Sequence, residues 1–510
     1  MIRYEDIPRS FNLTSWFVDR HLEEGRGDRI ALYCGDERVT YRGLAELTNR
    51  IGNVLLELGV RPEDRILLAL SDGKEFVATW YAALKIGAVV AEAYTFLQAK
   101  DYAYYAEYTR ARVIVVDDGT RATVEEAVSG MRFVPQLLVV DDSFAELVAQ
   151  ASAELEPAPT TKDDVALWKF TTGSTGAPKA AVHLAHDPLI SFECYARDVA
   201  GYREDDVVLP VPKLFFGYGR DMAALFTFGV GAAGIVFPER STPELIFDLI
   251  ERHRPTILVN VPTMMSAMLD LPGARGRDLS SLRMCVSGGE ALPAEIHERW
   301  SDLFGLEVIE GVGSSELYHI YISSRPGHIR PGSAGRLVPG YDARLLDEDG
   351  HEVPDGTPGE LWVSGESAAL CYWGDHEKSK RTFHGNTVRT GDLFVRDEDG
   401  YFWYRGRADD LLKVGGIWVA PLEIENALLA HPAVAECAVV GYDEHGLVLA
   451  RAWVVARAAV EPSELRNFVR TRLSPHKVPR DVRFAGSLPK TASGKIDRRA
   501  LRDSGAGVGA

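Results

Sequence analysis

Cysteine is scarce in this sequence. Only five of the 510 residues are cysteine, and they form no C-x-x-C pair. An odd number of scattered cysteines supports neither a disulfide framework nor a zinc site, so we expect reduced thiols in a cytoplasmic protein. The five are Cys34, Cys194, Cys285, Cys371 and Cys437.

Long apolar runs are also missing. The longest, 225–237, is interrupted by glycines and is too short to cross a bilayer, so we expect a buried segment and no membrane association. The first six residues, MIRYED, lack the basic-then-apolar pattern of a signal peptide. We therefore expect a protein that is not secreted.

An excess of positive charge is absent from the chain as a whole. The formal net charge is −18 at pH 7, which argues against a nucleic-acid partner because such proteins need a basic face. The charge is uneven, however, since residues 451–510 hold 13 Lys and Arg against 5 Asp and Glu. This basic region either aids docking between parts of the protein or is a mobile piece that meets a phosphate-bearing ligand.

Length and periodicity predict an α/β protein with more than one domain. A chain of 510 residues is too long for a single core. Short apolar strands alternate with helical patterns through the first two-thirds, which is typical of mostly parallel sheets. Beyond about Gly335, Asp-Gly turns beside strand-like runs predict antiparallel hairpins in a small β-barrel-like part. Strands are predicted at 65–70, 113–116, 137–140, 257–259, 360–363 and 401–404, and a helix around 44–58.

A polar, charged turn at 405–410 predicts a domain boundary. We expect a large N-terminal domain, 1–408, and a small, mobile α+β C-terminal domain, 409–510. The last residues, from Ser504 onward, are small and are predicted to be disordered.

One segment, 171–179, has the composition of a loop that holds phosphate. It reads TTGSTGAPK and follows an apolar run at 165–170. Small side chains let backbone N–H groups curl around an anion, and hydroxyl groups and a lysine add donors. The common nucleotide loop G-x-x-x-x-G-K-[ST] is absent, because no Lys directly follows Gly176. The alternative interpretation is a glycine-rich turn between two strands.

Three further motifs follow this loop in a specific order: VRTGD at 388–392, GRADD at 406–410 and PKTASGK at 489–495. In this set the chain resembles the acyl-adenylate-forming superfamily over nearly its whole length. KLFFGYG at 213–219 and KVGGIWV at 413–419 are similar to the benzoate-CoA ligase branch. The resemblance implies two steps: a carboxylate is joined to the α-phosphate of ATP with Mg²⁺, and a thiol such as coenzyme A then displaces AMP.

The resemblance implies roles for residues around the nucleotide. Glu316 would reach Mg²⁺, and Asp392 would accept hydrogen bonds from the ribose hydroxyls. Read without the family, Glu316 is a surface carboxylate, Asp392 caps a turn, and 287–290 is a glycine turn after a buried strand. The complete set expected to bind ATP is Thr171, Thr172, Gly173, Ser174, Thr175, Gly176, Lys179, Gly288, Gly289, Glu290, Ser315, Asp392 and Arg407.

The C-terminal residues carry the expected catalytic and hinge positions. The resemblance places Lys495 at the reacting centre, where a compact charge bridges the carboxylate and the α-phosphate, with Lys490 as its local competitor. Asp409 would be the hinge about which the small domain rotates. Gly415 and Gly416 would then line the tunnel for the pantetheine arm of coenzyme A, although the pair also suits a tight turn.

The acid-binding pocket is expected to take a planar aromatic ring. Its flat, small residues favour such a substrate, although the same run is also typical of a hydrophobic core. The branch commonly has Ala where this chain has Gly217, so the lost methyl would leave room for a ring substituent. Polar contacts to it would come from Tyr218, Tyr318 and His319, although a lone His is also a common packing residue. The complete pocket set is Phe216, Gly217, Tyr218, Gly313, His319, Ile320 and Lys413.

Two stretches depart from the family pattern. Ala180 stands where Gly is usual, and 91–94 replaces a Pro/Asn-containing stretch, which is expected to reshape a wall of the nucleotide site or of the pocket.

The sequence thus predicts an ATP- and Mg²⁺-dependent aryl-CoA ligase that acts on benzoate or a hydroxy- or amino-benzoate. The nearest alternative delivers the aryl group to the phosphopantetheine of a separate carrier protein. An alternative of another class is a non-catalytic sensor of nucleotide or acyl-adenylate. A monomer or a homodimer is expected.

Overall fold

The computed structural model describes residues 2–172, 177–414, 417–444, 447–491 and 496–504. Two mainly parallel sheets, one antiparallel sheet and a small C-terminal unit make up this part of the chain.

The first sheet, sheet A, has seven strands. Five consecutive strands run parallel as far as one edge, and two antiparallel strands complete the other edge. In spatial order they are Cys371–Tyr372, Pro178–Leu184, Val165–Thr172, Val89–Glu92, Arg65–Ala69, Val113–Asp117 and Gln136–Val140. The helices within this part of the chain are Arg20–Glu23, Tyr41–Glu57, Lys74–Lys85, Ala99–Thr109, Arg121–Val128 and Asp142–Gln150.

The second sheet, sheet B, has nine strands, of which the central six are parallel. In spatial order they are Arg336–Leu337, Ile320–Ser323, Val308–Gly313, Met284–Gly288, Ile257–Asn260, Val207–Pro210, Ala233–Val236, Ile30–Cys34 and Glu37–Thr40. The helices in this part are His186–Ser191, Gly217–Ala224, Phe226–Val230, Pro243–His253, Pro262–Asp270 and Ala294–Phe304.

Local sequence explains where these helices begin. Thr40 accepts a hydrogen bond from the backbone of Gly43, and Thr242 accepts one from Leu245, so each caps a first helical turn. The helix after Thr40 buries Leu44 and Ile51 on the face that the sequence periodicity predicts.

The third sheet, sheet C, is antiparallel. Its strands are Tyr341–Leu346, Gly359–Gly365, Phe383–His384, Thr387–Arg396 and Phe402–Arg407, and the helix His376–Thr382 lies between two of them. The predicted hairpins are therefore present. The predicted turn is wrong at its start, because 405–407 continue the last strand and the turn itself is Ala408–Asp410.

The C-terminal residues form two hydrophobic clusters of their own. Strands Val434–Glu444, Leu447–Ala456 and Asp481–Phe484 form one sheet, and Leu412–Val414 pairs with Ile417–Val419. The helices are Pro421–Leu429, Pro462–Arg470 and Arg498–Ser504. A separate core is what an independent domain requires, so the boundary at 408/409 stays our prediction.

Single-turn segments are found elsewhere in the chain. They are the 3₁₀ turns Tyr4–Asp6, Ala274–Gly276, Ser315–Leu317, Ala408–Asp410 and Pro475–Lys477 and the π-helical segments Ser15–Asp19 and Phe192–Arg197.

The predicted α/β class, with parallel sheets, an antiparallel part and a small α+β unit, is confirmed. In the described part of the chain, no helix has the length and apolar content needed to span a membrane.

Candidate active site

The phosphate loop predicted at 171–179 leaves from sheet A and returns to it. Thr171 and Thr172 end one strand, and Pro178 and Lys179 begin the next; Thr171 is paired with Lys179, and Thr172 with Pro178. A loop between two paired strands is thus fixed at both ends. Of the residues between the two strands, Gly173, Ser174, Thr175 and Gly176 lie outside the described residues.

Lys179 and Glu316 meet beside this loop. The Lys179 ammonium lies 3.8 Å from a Glu316 carboxylate oxygen and 3.6 Å from the centre of the Tyr372 ring. The Tyr372 hydroxyl donates to that same oxygen at 2.5 Å. Burial lowers the pKa of Lys179 to about 8, against the opposing pull of Glu316. One carboxylate next to a cation suits a Mg²⁺ ion that keeps phosphates and water as its other ligands.

A buried histidine supports the turn that carries Glu316. His183 contacts the carbonyl oxygen of Ser315 through Nε2 and the carboxylate of Asp187 through Nδ1, both at 2.6 Å. Tyr318, two residues after Glu316, has a φ of 71°, which a non-glycine residue adopts only under strain. Sequence reasoning missed this pair, because only the fold brings His183 beneath Ser315.

Asp392 is held by an arginine across a hairpin. Its carboxylate lies 3.0 Å from Arg407, which also donates to the carbonyl of Thr390 at 2.9 Å. Asp392 lies within the strand Thr387–Arg396 and not at its end, so its interpretation as a turn cap is wrong. Two residues expected to bind ATP are therefore brought together.

The 287–290 segment meets the expected acid pocket through one ring. A side chain added to Gly288 would lie 3.1 Å from the Tyr218 ring, so the glycine permits close packing. The Tyr218 hydroxyl lies 3.3 Å from the carbonyls of Asn260 and Val286. Its proton is thus directed to sheet B and not to a ring substituent.

Gly289 and Glu290 are the other residues of the 287–290 segment that are expected to bind ATP. Gly289 has a φ of 82°, in the region that favours glycine. The Glu290 carboxylate accepts hydrogen bonds from the backbone and the hydroxyl of Thr263, at the start of the helix Pro262–Asp270. The structure thus gives Glu290 a capping role.

Several buried polar groups around these segments have no hydrogen-bond partner among the described residues. They include the hydroxyls of Ser287, Ser314 and Tyr321 and both ring nitrogens of His319. Unpaired buried polar groups cost free energy, so their concentration in and beside three neighbouring strands of sheet B indicates a place where a ligand binds.

Aromatic rings pack against one another among the residues expected to form the acid pocket. The Phe216 ring lies 4.8 Å from the Tyr94 ring, so the stretch 91–94 packs against one residue of this expected pocket. The His319 ring lies 5.8 Å from Tyr218 and 4.8 Å from Phe226. Burial lowers the pKa of His319 to about 3, so its imidazole is neutral at physiological pH.

Two further residues of the expected acid pocket, Gly313 and Ile320, are paired across neighbouring strands of sheet B. A side chain at Gly313 would lie 2.4 Å from the His319 carbonyl oxygen, so only glycine permits the strand Val308–Gly313 to pair with Ile320–Ser323 here. Ile320 is buried and packs against Gly311.

The expectation that Gly217 leaves free space is wrong. A methyl group at Gly217 would lie 2.4 Å from Cε of Lys169 and 3.0 Å from its Nζ, so the lysine already fills that volume. The interpretation of 165–170 as an apolar run is wrong at the same residue. The sequence signal that could have identified Lys169 is a charged residue within an otherwise apolar strand.

The C-terminal positions are only partly described. Asp409 lies in the turn Ala408–Asp410, and Lys413 lies on the strand Leu412–Val414. Lys495, Gly415 and Gly416 lie outside the described residues. Arg498, which the sequence did not single out, lies 4.0 Å from Asp410 and donates to the Glu425 carboxylate at 2.5 and 2.9 Å.

Comparison with known proteins identifies relatives over almost the entire chain. The family model for "AMP-binding enzyme" matches residues 18–373, and that for "AMP-binding enzyme C-terminal domain" matches 423–495. The chain is 40% identical to the benzoate–CoA ligase of Thauera aromatica, over 98% of this chain and 97% of that protein.

Two more relatives extend this picture. The 4-hydroxybenzoate–CoA/benzoate–CoA ligase of Rhodopseudomonas palustris is 39% identical over 97% of this chain and 94% of that protein. The crystal structure of the anthranilate CoA ligase AuaEII with anthranoyl-AMP superimposes with a TM-score of 0.95, at 35% identity and 99% coverage of both chains.

Proposed function

We propose, from the premise that this chain belongs to the AMP-binding enzyme family, that it is an AMP-forming aryl-CoA ligase. It activates an aromatic carboxylic acid with ATP and transfers the aryl group to coenzyme A. The family resemblance drawn from the motifs is confirmed.

One observation carries this proposal: the short segment 313–320 lies beside the end of the phosphate loop and also beside the aromatic rings of the expected acid pocket. Glu316 lies beside Lys179 at the end of the phosphate loop. Three residues later, His319 lies among the rings of Tyr218 and Phe226. A nucleotide's phosphates and an aromatic acid held on the two sides of this segment would be neighbours, which is what the first step requires.

In the first step, a carboxylate oxygen attacks the α-phosphorus of ATP and pyrophosphate leaves. Both reactants are anions, so the protein must supply positive charge. Lys179 and the hydroxyls of the phosphate loop would hold the departing phosphates, and Glu316 would hold Mg²⁺ against them. Lys495 would bridge the attacking carboxylate and the α-phosphate. Asp392, oriented by Arg407, would bind the ribose.

In the second step, the thiol sulfur attacks the acyl carbon, its proton passes to solvent, and AMP leaves. We propose that the C-terminal unit turns about Asp409 between the steps. Lys495 then leaves the centre, and Gly415 and Gly416 admit the pantetheine arm. Lys413 would meet the acid carboxylate in one of the two orientations.

The acceptor is free coenzyme A in this proposal, and a separate carrier protein is the alternative. A product assay that offers coenzyme A and a phosphopantetheine-loaded carrier in parallel distinguishes the two. Scarce cysteine supports a cytoplasmic location, and the net charge of −18 supports a ligand set without nucleic acid. For the assembly we propose a monomer or a homodimer.

Aromatic acids are expected to outperform fatty acids. The rings of Tyr94, Phe216 and Tyr218 favour a flat substrate, and a flexible chain would lose conformational entropy among them. Pyrophosphate release, measured with benzoate, hydroxybenzoates, aminobenzoates and hexanoate to decanoate, should give kcat/KM values at least about tenfold higher for the best aromatic acid. A medium-chain fatty acid as the best substrate would contradict the proposal.

The use of ATP is expected to weaken at alkaline pH. Lys179 has a lowered pKa of about 8, so it is charged below this pH and loses its proton as the pH rises. Since kcat/KM for ATP reports the free enzyme, it should fall about tenfold for each pH unit above 8. Lys179→Arg is the matched control, because a guanidinium stays charged and the decline should move to higher pH. A decline that is the same in both proteins would assign it to another group.

A further inference from the structure

Four charged side chains are buried together behind the acid pocket. None of them is more than 5% exposed, and nothing in the nucleotide chemistry described above uses them. They are Lys169, Asp221, Arg220 and Glu92.

These side chains form one continuous network. The Lys169 ammonium donates to Asp221 Oδ2 at 2.5 Å, and Arg220 donates to Asp221 Oδ1 at 2.8 and 3.0 Å. Arg220 also pairs with Glu92, which accepts a hydrogen bond from the Trp80 indole at 2.7 Å. Two cations and two carboxylates are thus joined across sheet A and the helix Gly217–Ala224.

Such a network is a poor way to stabilise a core. Removing four charges from water carries a large desolvation cost, and well-packed apolar residues of similar volume are often at least as stabilising. The arrangement of the cations and carboxylates therefore calls for a reason beyond packing. Buried charges next to a binding pocket commonly serve the ligand.

Lys169 is the member that reaches the pocket wall. Gly217 has no side chain, and Lys169 Cε and Nζ occupy the volume that a methyl group would take. The ammonium also donates to the carbonyl of Tyr318 at 2.5 Å and lies 3.7 Å from the centre of that ring. The next residue, His319, is the neutral imidazole whose nitrogens have no partner among the described residues.

We propose that Lys169, held by Asp221 and placed where a side chain at position 217 would otherwise lie, binds a ring oxygen of the acid and selects hydroxybenzoates. The inference rests on the proposed function. An ammonium has three donors and no acceptor, so an oxygen with lone pairs suits it, whereas an aromatic amine is a poor acceptor. A phenol can donate its own proton to a neutral imidazole such as His319. An unpaired ring nitrogen of His319 and the third N–H of Lys169, which Asp221 and the Tyr318 carbonyl leave without a partner among the described residues, would then both be satisfied.

The test compares each hydroxybenzoate with the methylbenzoate substituted at the same ring position, which has nearly the same shape. The ratio of their kcat/KM values in pyrophosphate release is measured within one protein, so the amount of folded enzyme cancels. In the native protein, at least one isomer should favour hydroxyl over methyl by about 10- to 100-fold, the range for a hydrogen bond to a charged group.

Two matched variants remove charge from the network in pairs. Lys169→Met with Asp221→Asn removes the proposed contact, and the ratio should fall about 10- to 100-fold, toward one. Arg220→Met with Glu92→Gln removes the other pair, keeps the acceptor for Trp80 and leaves Lys169 on Asp221. This second variant should keep the native ratio.

The possible outcomes test the role of Lys169 and the proposed function separately. No hydroxyl preference in the native protein, a preference for aminobenzoates, or a ratio that survives Lys169→Met would overturn the role of Lys169 while benzoate turnover still supports the proposed function. If the native protein forms no acyl-AMP from any aromatic acid, the proposed function itself fails. Should the Lys169 variant not fold, the native hydroxyl-to-methyl ratio still decides whether the pocket selects oxygen.

Discussion

Replacing Lys495 by alanine is expected to lower the rate of acyl-AMP formation by about 10²- to 10³-fold, the usual loss when one charge-stabilising donor is removed from a reacting centre. The change removes the ammonium that bridges the carboxylate and the α-phosphate. Thioester formation from supplied acyl-AMP should change much less, because that step does not need the bridge. Pyrophosphate release and coenzyme A consumption, measured separately, report the two steps.

Lys490→Ala is the control for this experiment. Lys490 is the other lysine of the same motif, but its ammonium lies 3.4 Å from the carboxylate of Glu436. Exposed ion pairs of this kind contribute little, so adenylation should stay close to native. If Lys490→Ala instead abolished adenylation and Lys495→Ala did not, the two roles would be exchanged. Native adenylation in both variants would remove the bridging lysine from the mechanism.

Arg498, close to Lys495 in sequence, is held by several contacts within the C-terminal unit. It follows Lys495 by three residues and is held by Glu425 and by the carbonyl of Val439, at 2.5 to 2.9 Å, and lies 4.0 Å from Asp410. The start of the helix Arg498–Ser504 is therefore anchored beside the turn that contains the proposed hinge.

Replacing Glu316 by glutamine is expected to lower kcat/KM for ATP by about 100-fold and to raise the Mg²⁺ concentration needed for half-maximal rate. The amide keeps an oxygen that can accept the Tyr372 hydroxyl, so the local hydrogen bond survives. What is lost is the negative charge that would hold the metal ion and that lies 3.8 Å from Lys179. A titration with Mg²⁺ at saturating acid measures the effect.

Glu377→Gln provides a matched control for this change. Glu377 is an exposed carboxylate on the nearby helix His376–Thr382, and the same substitution there should leave the Mg²⁺ dependence at its native value. A Glu316→Gln protein with native activity and native Mg²⁺ dependence would show that the metal ion is held elsewhere.

Much of the fold could be predicted from local sequence. The helix Tyr41–Glu57 and the strands Arg65–Ala69 and Val113–Asp117 follow from apolar spacing, because each buries one face that its own residues define. The hairpin around Asp399 follows from its Asp-Gly turn. The order of the motifs, in turn, was enough to indicate the family and the use of ATP.

The site could be predicted only where one motif carries it. Thr171, Lys179, Glu316 and Asp392 could be proposed as site residues because their neighbours in sequence form recognisable patterns. His183, Lys169 and Arg498 were not found as site residues, because each acts on a residue that is distant in sequence. Lys169 meets Asp221 across 52 residues, and His183 meets Ser315 across 132.

The sequence by itself therefore determined the α/β class, the positions of most elements and the chemistry of a carboxylate with ATP. Only the tertiary structure decided what stands behind Gly217. The sequence suggested an empty space there, whereas folding brings sheet A against the helix that begins at Gly217 and fills the space with an ammonium. Spacing along the chain reports which face of an element is buried, but not which side chain of a distant element it is buried against.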